Sequence, residues 1–325
     1  MWRFLTSPYF YLILPPLFWS GNAVVGRAMA MDIPPVAFNF WRWALALAIV
    51  LPLAAPRAVR QWPAVRARWK TVVVLGILGI TAYNSFLYTA VQTTTAVNVG
   101  LISATMPVMI VVLSWLWLGD RIGPRQAAGV AVALAGVVLV VGRGNPAVLV
   151  AVAPVPGDLW MLGAAAAWSI YSVVLRRHPV ALDPMMLLTV TVAAGLVAAA
   201  PLYLYHYGLT LPFALTPETL ATMAYVAAFP SVAAYGAWNS GVATAGPNVA
   251  GYYSYLLPVF TGLMAVGFLD EPLRWFHLVG LAVVFAGIWL STHGGGHRTR
   301  GRPDKKFGPA GNRPESREEC VMGRD

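Results

Sequence analysis

Ala82-Tyr83-Asn84-Ser85 leads through Asn98-Val99-Gly100 to Pro107, and Ala234-Tyr235-Gly236-Ala237 leads through Asn248-Val249-Ala250 to Pro258. Each stretch reads as two apolar helices joined by a tight, uncharged turn, with tyrosines and amides where lipid favours leucine. The flanks repeat in register. A shift of 151 residues takes Pro107-Val108 to Pro258-Val259, Leu118 to Leu269 and the acid Asp120 to Glu271. It also takes Gly129, Ala131, Ala135 and Gly136 to Gly280, Ala282, Ala286 and Gly287. Earlier in each half, Trp19-Ser20 with Arg27 matches Trp168-Ser169 with Arg176 at a shift of 149. A repeat this long in an apolar chain points to one membrane bundle made of two related halves.

Composition agrees. The 325 residues are 58% hydrophobic and only 10% charged, against roughly 25% charged in a soluble domain. A membrane-spanning helix needs about 20 mostly apolar residues. Ten such runs stand near 8–26, 35–55, 71–90, 97–118, 123–142, 157–176, 185–206, 218–240, 247–269 and 273–292. The predicted fold is therefore an all-α integral membrane protein of ten helices. Its halves are residues 1–146 and 147–292, followed by a basic, glycine-rich cytoplasmic tail at 293–325, read as disordered. Five spans per half is an odd number. The second half thus enters the membrane from the opposite side, and the halves form an inverted repeat.

The net charge of +10 does not mark a nucleic-acid binder. The basic residues lie in loops and tails between apolar spans, where the positive-inside rule places them. With both termini in the cytoplasm, Arg57, Arg60, Arg66, Arg68 and Lys70 fall inside as a basic loop at 56–70, with Arg121, Arg125, Arg176 and Arg177. Only Arg27, Arg143 and Arg274 fall outside. Residues 8–26 resemble a signal peptide, with Arg3 before the run and Ala28-Met29-Ala30 after it. The matching internal segment 157–176 cannot be a signal, so 8–26 reads as a retained first helix. The single cysteine, Cys320, lies in the tail and supports neither a disulfide framework nor a metal cluster.

Polar and aromatic residues recur at helical spacing on one face of the same three helices in each half. Trp19 and Asn22 in span one pair with Trp168, Tyr171 and Ser172 in span six. Asn84 and Tyr88, beside Tyr83, in span three pair with Ser231, Tyr235, Trp238 and Asn239 in span eight. Asn98 and Thr105 in span four pair with Asn248, Tyr252 and Tyr255 in span nine. These stripes can enclose one cavity or serve interhelical packing. Asn98 and Asn248 also suit helix N-caps. Tyr9, Tyr11, Trp117, Tyr203, Tyr205, Trp275 and Trp289 lie near span ends and read as interfacial belt residues. Pro107 and Pro258 break the amide ladder within their spans and read as kinks. The small residues of spans five and ten read as a close-packing seam.

Arg42 falls inside span two, about two turns in from its outer end, and an arginine costs roughly 2.5–3.5 kcal/mol at a helix centre on insertion scales. Two readings stand for it: it snorkels outward between Trp41 and Trp43, or it faces the pathway and meets a carboxylate. The matching region of span seven, Leu188 to Thr191, carries no charge. No Asp or Glu lies inside any span; Asp32, Asp120, Asp158, Asp183, Glu218, Asp270 and Glu271 fall at ends or in loops. Buried carboxylates usually mark proton-driven pumps, so obligatory proton coupling is not expected. Sugar phosphates would want several Lys or Arg in the pathway. An enzyme is disfavoured, because neither H-E-x-x-H nor G-x-S-x-G occurs.

The chain at this point resembles the drug/metabolite transporter superfamily, and its EamA-type permeases in particular. The resemblance rests on Trp19-Ser20-Gly21-Asn22, Phe40-Trp41-Arg42, the Pro107 and Pro258 helices running into Leu118-Gly119-Asp120 and Leu269-Asp270-Glu271, and the Gly/Ala-rich fifth and tenth helices. It covers about residues 8–292. It implies a central cavity between spans one, three, four, six, eight and nine, and among its members the aromatic residues look most like bacterial exporters of aromatic amino acids. The expected function is export of aromatic or apolar amino acids, and of small drug-like solutes, across the inner membrane by alternating access. Expected substrate contacts are Trp19, Asn22, Tyr83, Asn84, Tyr88, Trp168, Tyr171, Tyr235, Trp238 and Asn239, with Arg42 as a pathway charge. No cofactor, metal or nucleic-acid partner is expected, and a monomer in the lipid bilayer suffices. Other solutes of the family (nucleosides, sugars, drugs) and a channel-like pore stand as alternatives.

Overall fold

The computed structural model describes residues 8–119, 122–141, 143–145, 155–245 and 253–292. Asp120, Asn248, Tyr252 and the tail from residue 293 lie outside them. Among the described residues every regular element is a helix. In chain order these are α1 Pro8–Ala28, α2 Pro35–Ala67, α3 Trp69–Ala90, α4 Ala96–Leu118, α5 Pro124–Val141, α6 Pro156–Arg177 and α7 Pro184–Tyr207. The last three are α8, from Pro217 to Ala245, α9 Leu256–Leu269 and α10 Trp275–Thr292. Helices α2, α3, α4, α6, α7 and α8 are long and apolar enough to cross a membrane, and α5, α9 and α10 are shorter apolar helices.

The starts follow local chemistry. Proline stands at the first turn of α2, α4's second segment, α6, α7 and α8, where its missing N–H costs nothing. Thr95 caps α4 by accepting from the Asn98 amide, and Thr216 forms a capping box with Thr219 at α8. Asn98 is therefore not the cap.

Helix α2 departs from the sequence reading. The expected loop at 56–70 is helical to Ala67, with only a turn at Arg68 before α3. Pro52, Pro56 and Pro63 sit inside it, and the alanines and arginines around them are strong helix formers. At 1.5 Å per residue, its 33 residues span about 50 Å, against a hydrocarbon core of about 30 Å. The basic last turns therefore lie beyond the core, where Arg57, Arg60 and Arg66 are exposed.

The two halves are not separate packing units. Helix α1 packs on α8 and α9 of the other half, and α6 packs on α3 and α4. Helix α2 lies against α7. Helices α5 and α10 close the bundle together along Gly129, Ala133 and Gly136 on one side and Gly280, Val284 and Gly287 on the other. A Cβ at Gly136 would stand 2.9 Å from the Gly280 carbonyl oxygen, and one at Gly287 would stand 2.6 Å from that of Gly129. Ala131, Ala135, Ala282 and Ala286 point outward, so only the glycines of the expected seam make it.

Gly136→Val and Gly287→Val should each destabilise the protein by about 1–3 kcal/mol through overpacking, whereas Ala135→Val should be near neutral. Thermal unfolding of the purified protein in detergent tests this. Equal melting temperatures for all three variants would refute close packing at the seam.

Candidate functional site

Helices α3 and α8 each loosen into a π turn at matched places, Ile77–Ala82 and Ala227–Ala233. A π turn releases carbonyls from the α ladder, and in lipid each must find a donor. Side chains supply them. Asn84 Nδ2 donates to the Gly79 carbonyl at 2.9 Å, and Asn39 Nδ2 to that of Thr81 at 3.2 Å. In α8, Ser231 Oγ donates to the Val226 carbonyl at 2.7 Å, and Trp19 Nε1 of α1 donates to that of Pro230 at 3.1 Å.

Arg42 ties the two π turns together. Its Nε donates to Ser231 Oγ at 2.7 Å, and its Nη1 donates to Asn84 Oδ1 at 2.8 Å and to the Tyr88 hydroxyl at 2.9 Å. The Tyr88 O–H in turn donates to Asn22 Oδ1 at 2.7 Å. The guanidinium also lies 4.8 Å from the centre of the Trp43 ring. Arg42 is only 2% exposed. It does not snorkel to the interface, because α3 and α8 offer it neutral acceptors inside the bundle. Among the described residues no carboxylate pairs with it.

Beside this clamp opens a cavity of about 620 Å³, a size that suits a small solute. Trp19, Tyr83, Trp168, Tyr171, Tyr235 and Trp238 line it as one connected aromatic wall. Trp168 and Tyr171 stack at 5.1 Å between ring centres, and Tyr83 tilts against Trp168 at 5.3 Å. Trp19 meets Trp168, Tyr235 and Trp238 at 6.4, 5.9 and 5.8 Å. Such contacts fix ring orientations and keep their faces together. Asn22, Asn84 and Arg42 are among the polar residues of the wall. The described lining contains no Asp, Glu or His. The cavity runs toward the ends of α6 and α7, where Leu175, Leu182 and Pro184 line it.

The opposite end of the bundle is shut by polar contacts. Glu271, which is 9% exposed, accepts from the Ala96 and Val97 amides at 3.0 and 3.1 Å, at the start of α4. Arg27 at the end of α1 lies 3.7 Å from the same carboxylate and donates to the Val91 carbonyl at 2.7 Å. Asp158, fully buried in the first turn of α6, accepts from Thr94 Oγ1 and from Asn98 Nδ2. The end positions of these acids were legible in the sequence; their burial in a closure between helices was not.

Placement of the expected residues is uneven. Trp19, Asn22, Tyr83, Asn84, Trp168, Tyr171, Tyr235 and Trp238 come together in the lining. Tyr88 does not: it is 1% exposed behind the wall, stacked on Phe38 at 4.3 Å, and holds Arg42 and Asn22 in place. The Asn239 side chain lies outside the described residues. Pro107 and Pro258 both line the cavity, Pro107 just after a turn at 104–105 that interrupts α4 and Pro258 just after a turn at 254–255 that precedes α9. Beyond the six helices that the resemblance implies, α2 contributes through Arg42, the expected pathway charge, and α7 contributes through Leu187, Leu188 and Thr191, which were not expected. Arg42 and Thr191 are themselves related by the shift of 149, a signal that could have placed α7 at the cavity. Tyr203, expected in the interfacial belt, is 5% exposed. It accepts from Trp41 Nε1, donates to the Thr210 carbonyl and stacks on Phe40.

Known proteins resemble this chain along most of its length. It is 27% identical over 287 residues to an uncharacterized transporter of Archaeoglobus fulgidus, covering 88% of this chain and 98% of that one. It is 29% identical over 252 residues to the aromatic amino acid exporter YddG of Ancylobacter novellus, covering 77% and 84%. The exporter of the same name from Salmonella typhimurium is 27% identical over 206 residues, covering 61% and 68%. A solved crystal structure superposes with a TM-score of 0.61 at 24% identity, over 88% of this chain and 98% of the other, which speaks to the fold. The profile of the EamA-like transporter family matches residues 6–142 and again 155–293. The chain thus belongs to the EamA-like transporter family, as a multi-pass membrane protein built on ten helices.

Proposed function

We propose that this transporter exports aromatic and apolar amino acids, and small drug-like solutes of similar shape, by alternating access across the inner membrane. The observation that carries this reading is the aromatic wall, six side chains from α1, α3, α6 and α8 around one cavity that reaches a single end of the bundle. An apolar ring buried against such a wall gains hydrophobic and stacking contacts. Two relatives bearing the name aromatic amino acid exporter support the substrate class.

The remaining features follow from that reading. With both termini in the cytoplasm, the end at Leu182 faces inward and the Glu271 closure faces outward. The structure then corresponds to an inward-open carrier, the state that loads solute for export. The halves 1–146 and 147–292 act as an inverted repeat around the site, and the molecule works as a monomer. The described cavity lining offers no carboxylate or imidazole to carry a proton with the solute, so transport is facilitated rather than proton-driven. Opening the outer end requires Glu271 to leave the α4 amides and Arg27.

Proteoliposomes holding the purified chain should take up labelled phenylalanine saturably, with counterflow and with no dependence on an imposed pH gradient. Trp168→Ala should weaken apparent affinity about tenfold through lost stacking and burial. Failure of phenylalanine, tryptophan and leucine alike to enter would defeat the amino-acid reading. Strict dependence on a proton gradient would instead defeat facilitated transport.

Glu271→Gln should loosen the closure, since charge-assisted bonds contribute about 1.5–3 kcal/mol. The substitution Ala23→Cys at the cavity lining, combined with Cys320→Ser, reports this through an impermeant maleimide applied from the Arg27 side. Labelling should rise about tenfold when Glu271→Gln is added to that background. An unchanged rate would mean that the closure does not depend on this carboxylate.

A further inference from the structure

We infer that Arg42 is the anion subsite of the cavity and binds the carboxylate of the transported solute, while the solute's amino group goes unrecognised. The assignment rests on reading the cavity as the solute site. A guanidinium carries five N–H donors. Three of them are spent, on Ser231, Asn84 and Tyr88. The two on Nη2 make no hydrogen bond among the described residues, and Arg42 contributes to the cavity surface.

Every acceptor Arg42 does have is neutral: a hydroxyl, an amide oxygen and a phenol. The charge is therefore held in place but not neutralised, at 2% exposure. A buried cation without a counterion is costly, and a solute carboxylate arriving through the cavity supplies that counterion. Nε and Nη1 are already committed, so recognition runs through Nη2. That geometry suits a single carboxylate and leaves the second charge of a dianion such as a phosphate monoester uncompensated. No second cation stands in the described lining.

The amino group meets the opposite situation. No Asp or Glu is present in the described lining, so an ammonium finds only aromatic faces and neutral oxygens. The recognised features are a ring against the Trp19–Trp168–Tyr235 wall and a carboxylate on Arg42. Aromatic acids that lack an amine should therefore compete with aromatic amino acids.

Calorimetric titration of the purified full-length chain in detergent tests this with five probes: phenylalanine, 3-phenylpropionate, phenethylamine, phenylalaninamide and hexanoate. Phenylalanine and 3-phenylpropionate should bind within a few-fold of each other. Phenethylamine and phenylalaninamide should bind about ten- to hundredfold more weakly, as expected for the loss of a hydrogen-bonded charge pair. Arg42→Gln should erase that difference by weakening binding of the two acids about ten- to hundredfold. The wild-type series decides the matter even if the variant fails to fold. Binding of the amine or the amide as tight as that of the acid overturns the assignment, while leaving the aromatic-solute reading intact. Binding of hexanoate without any aromatic probe, lost in Arg42→Gln, keeps the carboxylate subsite and defeats the aromatic reading. Absence of binding by every carboxylate overturns the subsite.

Discussion

A single buried cation constrains the centre of this bundle. Burying Arg42 costs free energy that an apolar residue would not, and the fold offsets it with three neutral hydrogen bonds drawn from both halves. Those bonds are available only because α3 and α8 each open a π turn there. Asn84 and Ser231 cap the freed carbonyls with one side of their polar groups and present the other to Arg42. Charge, π turns and cavity are thus one arrangement. Removing the arginine would leave Asn84, Ser231 and Tyr88 with unsatisfied acceptors at membrane depth, where such groups are expensive.

The exchange of helices between halves gives this clamp its reach. Because α1 packs on α8 and α9, and α6 on α3 and α4, each face of the cavity contains residues from both repeats. Trp19 illustrates the point. It belongs to the first half, donates to the Pro230 carbonyl of the second, and touches three aromatic rings of the second. Substrate contact at this wall would therefore be felt by both halves at once.

Much of this was legible in the sequence, for a physical reason. Ten spans, the repeat and the aromatic stripes are periodic signals, and periodicity survives without coordinates. Eight of the ten expected contact residues reach the lining. The failures concern direction and distance. Tyr83 and Tyr88 stand five residues apart, about 140° around an α-helix, so one meets the cavity and the other the core behind it. Asn84, between them in angle, reaches both the lining and Arg42, which is why spacing alone grouped all three on one face. Arg42's partner Ser231 is 189 positions away, and no local pattern reports such a pairing. Glu271 and Asp158 sit at helix ends, where acids are usually solvated. The start of α4 buries both, Glu271 against the Ala96 and Val97 amides and Asp158 against Thr94 and Asn98.

The placement of weak points bears on how such a carrier moves. The π turns of α3 and α8 and the interruption of α4 fall in the middle third of their helices, and a turn at 254–255 precedes α9. These are the sites where backbone geometry changes at least cost. Under the alternating access proposed above, the ends of these helices would swing while the middle holds. The closure at the Glu271 end consists of a few polar contacts at helix termini, which can exchange with water once they separate. The Arg42 clamp instead ties α2, α3 and α8 together through buried side chains. The two polar clusters share no residue, so under the proposed mechanism the end opens while the clamp stays made. Bending about a fixed, charged centre would keep the aromatic wall assembled in both states of the proposed cycle, and that constancy would let one site serve both sides of the membrane.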